Sequence, residues 1–384
     1  MTAIPFDRVH AWLFDDALPY WADVGTGGPA VFRETCDLQT GKGADSARRV
    51  RVIARQVYAF SHAAMLGWNG PALERARAGV EFLVERVWQG PDKGWMRLLD
   101  ANGDMQDGRA DLYDFAFILF AFGWWMRASG DRAVEPYANQ TLDLIERTMR
   151  HPSGRGHLHM LPAEPPYQQN PHMHLLEACL ALDSGTGDPR WMAKAAEIAS
   201  LFREGFYDSA SGDLTEFFDA EWRADQGPQG RVVEPGHQLE WAWILGQYAQ
   251  RAGQDFSAEM RGLVAAAEAR GVSSRSGLVY GAVSKDGGVL ESRHRIWPQT
   301  ERIKGNLALF ELTGEERSAQ IASATNALLD RYLAPAPRGA WIDVLSEDGE
   351  PLSTDIPAST LYHLMLAFAE LLRLRPALEA AHAR

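Results

Sequence analysis

The stretch "DLYDFAFILFAFGWWM", Asp111 to Met126, decides the fold. Its apolar part, Phe115 to Met126, is about a dozen residues long. A membrane span needs roughly 20, so this segment reads as a helix buried in protein. Its polar groups, Asp111, Tyr113 and Asp114, gather at its start. A helix that is apolar all round must be covered by other elements on every side.

Working outward, the chain repeats this order. Gly/Asp turns occur at "DANGD" (Asp100 to Asp104), "DSASGD" (Asp208 to Asp213), "SKDGG" (Ser284 to Gly288) and "SEDGE" (Ser346 to Glu350); these are hairpin signals. Helix starts follow near Asp111, Pro171, Pro235, Pro298 and Pro357, with a sixth near Asp45, and successive starts lie 59 to 66 residues apart. Proline is accepted in a first helical turn because its missing N–H would be unpaired there anyway. Between the starts run amphipathic segments such as "ALERARAGVEFLVERVW" and "DRAVEPYANQTLDLIERTM", apolar at helical spacing and charged on the other face. Six units of about sixty residues predict about twelve helices. Arrays of helical hairpins coil openly or close, and the apolar inner helices favour closure. The predicted fold is an all-α (α/α)6 barrel with short β-hairpins in the long loops on the side that carries the site. No low-complexity linker divides the chain, so residues 1–384 are expected to form a single barrel domain.

Composition narrows the function. The net charge is −13 and no Lys/Arg-rich run is present, which argues against nucleic-acid or anionic-membrane partners. Cys36 and Cys179 form no metal or disulfide pattern and read as buried thiols in a reducing cytosol. The opening "MTAIPFDRVHAWLFDDALPYW" is too charged for a signal peptide. A cytoplasmic protein is expected, with monomer and homodimer both open. The 13 Trp, 16 Phe and 10 Tyr supply a core, and some rings are expected to line a pocket for a ligand with apolar faces, such as a sugar.

If the ring closes, the polar starts of the inner helices converge on one cavity. They carry Arg55, Tyr113, Asp114, Asn170, His172, His174, His237, Glu240, Gln299, Glu301 and His363. In a helix beginning near Gly236, residues 237, 240, 241 and 244 share a face, so His237 and Glu240 would sit together. A carboxylate beside an imidazole orients it and favours its charged form. That suits proton transfer and equally suits a buried pair satisfying itself. His172 and His174, with His157 and His159 upstream, raise metal binding. Positions i and i+2 of a helix point apart, however, and no spacing matches a metal motif, so no metal is expected. His62 and His159 read as satisfied core histidines. Trp125, Trp222 and Trp243 read as core or rim. Trp297, beside Pro298, is the candidate for stacking on a sugar. Arg293, His294 and Arg295 form either a modest anion patch or a solvated loop.

The stretches "RQVYAFS", "NPHMHLLEA", "EPGHQLEWAW", "WPQTE" and "DIPASTLYH" run in this order over nearly the whole chain. At these residues the sequence resembles the N-acylglucosamine 2-epimerase superfamily, which includes cellobiose 2-epimerases, mannose 2-epimerases, mannose isomerases and sulfoquinovose isomerases. The resemblance implies an (α/α)6 barrel and chemistry at C1 and C2 of an aldose or ketose. No Gly-rich phosphate loop is present, and no cofactor is expected. By position, His237 and His363 match the family's acid and base, and Glu240 the carboxylate supporting the first. Arg55 matches the arginine beside the substrate oxygens. Asn170, His174, Tyr113 and Trp297 match sugar-binding positions, and Gln299 of "WPQTE" is placed with them. The activity so implied is a metal-independent aldose–ketose isomerase, D-mannose to D-fructose. His363 would move a proton between C2 and C1 through a cis-enediolate that Arg55 and His174 stabilise. Cellobiose epimerases usually place a tryptophan a few residues before the final histidine; Ala358-Ser359-Thr360 stands there instead. A 2-epimerase of mannose/glucose, N-acylglucosamine or cellobiose type is the alternative. Beyond it stand a glycoside hydrolase using Asp111 or Asp114 with Glu301 across a scissile bond, and a non-catalytic sugar-binding protein.

Overall fold

The computed structural model describes residues 3–28 and 31–382. Among these residues six outer helices alternate with six inner ones. The outer helices are α1 (Phe6–Ala11, carried on by Trp12–Ala17 and Leu18–Asp23), α3 (Ala72–Phe82), α5 (Glu135–Thr148), α7 (Pro189–Leu201), α9 (Ser257–Arg270) and α11 (Ser318–Leu328). The inner helices are α2 (Val50–Met65), α4 (Leu112–Ser129), α6 (Asn170–Thr186), α8 (Pro235–Ala252), α10 (Ile296–Thr313) and α12 (Leu361–His382). This is the expected (α/α)6 barrel. Among the described residues no helix is long and apolar enough to cross a membrane.

The inner helices form where their sequences dictate. Asp111 caps α4 by accepting from the Tyr113 and Asp114 amides at 2.9 and 3.2 Å, which satisfies donors a helix start leaves free. Pro171 and Pro235 occupy the first turns of α6 and α8. Phe115, Ile118, Leu119 and Phe122 of α4 are wholly buried, each stabilising the fold by about 1.5–3 kcal/mol relative to exposure. Gly123 lets α4 and α6 touch: a Cβ there would lie 2.6 Å from the Ala181 carbonyl carbon.

All four turn stretches sit at hairpins: Leu98–Leu99 with Met105–Asp107, Tyr207–Asp208 with Asp213–Leu214, Ala282–Ser284 with Val289–Glu291, and a tight turn after Val344–Leu345 closed by a bridge from Leu345 to Pro351. One start was placed early. The first inner helix begins at Val50, not near Asp45, because Arg48–Arg49 is extended and pairs with Leu98–Leu99. The ring closes through backbone: Thr35–Asp37 pairs antiparallel with Asp355–Pro357. Beside it, Gln56 donates to the Ala358 carbonyl at 2.7 Å.

Candidate active site

One end of the barrel opens into a cavity of about 450 Å3 lined by the starts of the inner helices and by the loops above them. Ligand pockets commonly span about 300–1,000 Å3. His237 and His363 both line it, as do Arg55, Tyr113, Asn170, His174, Glu240 and Trp297. Trp297 lies against both catalytic candidates, with ring centroids 5.3 Å from His237 and 5.6 Å from His363. Gly236 makes this possible, since a Cβ there would meet the Trp297 ring at 2.5 Å. Arg55 reaches the Tyr113 hydroxyl at 2.8 Å and the Ser359 carbonyl at 3.4 Å, and its guanidinium stands 4.0 Å from the Phe117 ring centroid. The Arg55 Nε, Asn170 Oδ1, Glu240 Oε1 and His159 Nδ1 atoms are buried without a protein partner. Buried polar groups are normally paired, and unpaired ones around a hollow suit a polyhydroxylated ligand.

Two placements correct the sequence reading of the site. Glu240 makes no hydrogen bond with His237. The His237 Nδ1–H donates to Glu216 Oε2 at 3.0 Å, with Glu234 Oε2 at 3.5 Å. Glu240 instead gathers with Glu301 and His363. A shared helical face brings side chains near without joining them, and carboxylates from the preceding loop reached the imidazole first. Gln299 does not line the cavity either. Its amide accepts from the Val279 N–H at 2.9 Å and donates to the Val279 and Arg295 carbonyls at 3.1 and 2.9 Å, so it fastens the loop above α10. His159, read as core, lines the cavity. His172 turns away, accepting from the His157 amide at 2.8 Å, while His174 faces the cavity, as i and i+2 positions should.

The sequence reading missed Glu216 and Glu234 altogether, and it missed three arginines, Arg49, Arg51 and Arg97. Arg49, Arg51, Arg97 and Arg295 join Arg55 around the cavity, against Asp111, Glu234 and Glu240. Of the suspected patch, only Arg295 faces it: Arg293 pairs with Glu291, and His294 is buried between Ser276 and the Val279 carbonyl. A hydrolase pair is poorly served. Asp114 is wholly buried against Arg51 at 3.0 Å, Asp111 caps α4 and pairs with Arg97 at 3.0 Å, and Glu301 lies beneath His363.

The two histidines are held in opposite charge states. Burial alone would lower the His237 pKa, but Glu234 and Glu216 overcome it and hold the ring well above its usual value, so it is an imidazolium at neutral pH. His363 lies well below its usual value because of burial and then the charges of Arg55 and Lys304, and is neutral. Its Nδ1 lies 2.8 Å from Glu301 Oε1, whose second oxygen is 2.7 Å from Lys304 Nζ. With Nδ1–H donating to Glu301, Nε2 keeps its lone pair, as a base requires. His174 is likewise held neutral by burial and Arg55, and its Nδ1 lies 3.2 Å from Glu177. Two groups could in principle ligate a cation: Glu216, Glu234 and His237, and Glu240, Glu301 and His363, each with donor atoms within 4.8 Å of one another. The second already holds the Lys304 ammonium against Glu301. In the first, Glu216 Oε2 accepts from both His237 and the Gln169 amide, the latter at 2.8 Å.

An (α/α)6 barrel that brings a charged and a neutral histidine to one hollow is suited to proton transfer on a small polar ligand. The profile of the N-acylglucosamine 2-epimerase family matches residues 35–367, and the chain belongs to that family. It is 37% identical over 373 residues to the mannose-6-phosphate isomerase of Rhizobium meliloti (strain 1021), covering 95% of this chain and 96% of that one. It is 31% identical over 291 residues to the D-mannose isomerase of Thermobifida fusca, covering 65% and 69%. The structure superposes on cellobiose 2-epimerase from Bacillus thermoamylovorans B4167 with a TM-score of 0.86 at 20% identity, over 96% of this chain and 98% of that one. The protein is therefore an enzyme, a sugar isomerase or epimerase of this family.

Proposed function

We propose that the enzyme interconverts an aldose of mannose configuration and its 2-ketose without a metal. The observation that carries this reading is the pair of histidines on one cavity, one charged and one neutral, with Trp297 against both. His237 donates its proton to the ring oxygen while the anomeric hydroxyl gives up its own to water; the C1–O5 bond breaks and the pyranose opens to the C1 aldehyde. His363 Nε2 takes the C2 proton, and the C1 carbonyl becomes an enediolate oxygen. Arg55 supplies positive charge there and His174 a hydrogen bond, both where charge develops. His363 returns the proton to C1 on the same face, the 2-hydroxyl proton passes to O1, and C2 becomes the ketone. Return to C2 from the opposite face, by His237, would give the epimer instead. Cys36 and Cys179 are free, buried thiols, which agrees with a cytoplasmic setting.

A second observation favours a phosphorylated form of the same sugar. Five arginines against three carboxylates line the cavity of a chain whose net charge is −13, and the 37% identical relative is a mannose-6-phosphate isomerase. Arg51 and Arg295 keep donors to spare: Asp114 beside Arg51 is pushed up to about 7 by burial, and Asp343 stands 3.6 Å from Arg295. Guanidinium forks suit phosphate.

The test is incubation in heavy water with mannose, mannose 6-phosphate, glucose and cellobiose, followed by proton NMR. Ketose formation is expected, with deuterium at C1 to the extent that His363 exchanges its proton with solvent before returning it. A kcat/KM at least about tenfold higher for the phosphate ester, a difference of about 1.4 kcal/mol, supports the phosphorylated substrate. C2 inversion without ketose overturns isomerisation, and neither ketose formation nor C2 inversion with any of the sugars overturns the assignment of both histidines.

A further inference from the structure

The barrel has a second cavity, at the end away from the two histidines, between the C-terminal halves of α2, α4, α6 and α8 and residues 366–373 of α12, with a volume of about 360 Å3. The structure assigns this cavity as a binding site for a small oxyanion carried on an apolar ring.

Two arginines point to the anion. Arg127 and Arg251 both line the cavity. Arg127 makes no hydrogen bond or ion pair among the described residues; its guanidinium stands 4.3 Å from the Trp124 ring centroid. Arg251 donates only to its own helix, to the Gln247 carbonyl at 3.0 Å and side chain at 3.4 Å. Asp183 and Glu370 are near enough to favour the Arg251 charge, yet neither forms an ion pair with it. The acids in the cavity are already engaged. Glu370 accepts from Arg373 at 2.8 Å and from the Trp243 indole at 3.4 Å, and Arg373 is also forked onto Glu311. Glu177 accepts from the Tyr362 hydroxyl at 2.6 Å and is pushed up to about 7 by burial. Two like charges therefore share the hollow, and neither is ion-paired to a carboxylate among the described residues. Each holds guanidinium donors in the forked geometry that matches carboxylate or phosphate.

The walls point to the ring. Trp124, Phe120, Trp243, Ile244 and Leu366 supply aromatic and aliphatic surface beside those donors. That combination of apolar wall and a few convergent polar groups is the usual make-up of a small-molecule site. The site is separate from the sugar cavity but not remote from it: Glu177 lines the second cavity and contacts His174, which lines the first.

The probes are phenyl phosphate and benzoate, with benzyl alcohol as the uncharged control, titrated into the full-length protein by calorimetry. One saturable site with Kd below about 1 mM, or about −4 kcal/mol, is expected for at least one of the anions and not for the alcohol. The double variant Arg127→Gln/Arg251→Gln should weaken it at least tenfold, while His237→Asn leaves it unchanged. Because the double variant removes a repulsion, its melting temperature should hold or rise, so lost binding cannot be traced to unfolding. Absence of binding by either anion, binding untouched by the double variant, or binding abolished by His237→Asn would overturn the assignment.

Discussion

Replacing Glu216 with Gln separates the partner found in the structure from the one the sequence offered. His237 Nδ1 and Glu216 Oε2 are 3.0 Å apart. At an effective dielectric of about 20, unit charges at that distance attract by about 5 kcal/mol. Each charge is spread over a ring or a carboxylate, which reduces the figure by about half, or about 2 pKa units. Glutamine keeps an acceptor for the Nδ1–H, so the change removes charge and little else. His237 acts while protonated and loses its proton as pH rises through its pKa. The lost carboxylate lowers that pKa, so the alkaline limb of kcat/KM should move down by about 2 pH units. Glu234 remains at 3.5 Å and keeps the shift from being larger. Glu240, held well above the usual carboxylate range by burial and Glu301, carries little charge to lose, and Glu240→Gln should move that limb by less than about 0.5 unit. The assay is a pH series of kcat/KM on wild type and both variants, with melting temperatures to confirm folding. The reasoning fails if Glu216→Gln leaves the alkaline limb in place, or if Glu240→Gln moves it as far.

Four further outcomes are expected. His363→Asn should lower kcat by about 10²–10⁴ with substrate Kd within about threefold of wild type; near-normal turnover in steady-state assays removes His363 as the base. Gly236→Ala forces the Trp297 ring off its seat and should raise KM several-fold, checked by kinetics and tryptophan fluorescence; unchanged KM means Trp297 does not meet the sugar. Gln299→Ala strips partners from the Val279 backbone and should cost about 1–3 kcal/mol of stability in urea unfolding while leaving KM alone. Exhaustive chelation should leave turnover intact; activity lost and then restored by a divalent ion contradicts the metal-free route.

The architecture was legible because it rests on periodic signals. Proline-marked starts, Asp-Gly turns and an apolar inner helix recur every 59 to 66 residues, and each signal acts locally. The misplaced first start failed for a tertiary reason: strand pairing with Leu98–Leu99 holds Arg48 and Arg49 extended. Site residues on inner helices were legible for the same reason as the fold, since one rule brings every helix start to one cavity. Glu216 and Glu234 were not. Glu216 lies in an irregular loop just before Phe217–Phe218, where no period says which way a side chain points. Three arginines were hidden differently: Arg49 and Arg51 sit in a run that reads as an ordinary basic helix start, and Arg97 comes from a different loop. Gln299 was misread because a polar residue at a helix mouth serves equally well to tie down a loop.

What distinguishes the two histidines is the number of ionised neighbours each meets, not depth, since both are buried. His237 meets Glu216 and Glu234 from its own loop side, two carboxylates that among the described residues are ion-paired to no cation but His237. His363 meets Arg55 and Lys304, and the carboxylate it touches, Glu301, is already claimed by that lysine. Glu177 and Glu240 lie in the same floor but burial pushes Glu177 up to about 7 and Glu240 well above the usual carboxylate range, so at neutral pH they offset the cations less than fully ionised carboxylates would. The barrel thus needs no difference in side-chain type to hold one imidazole charged and the other neutral. It needs carboxylates delivered by a loop on one side, and a lysine on the same face of α10 as Glu301, one helical turn on, at the other.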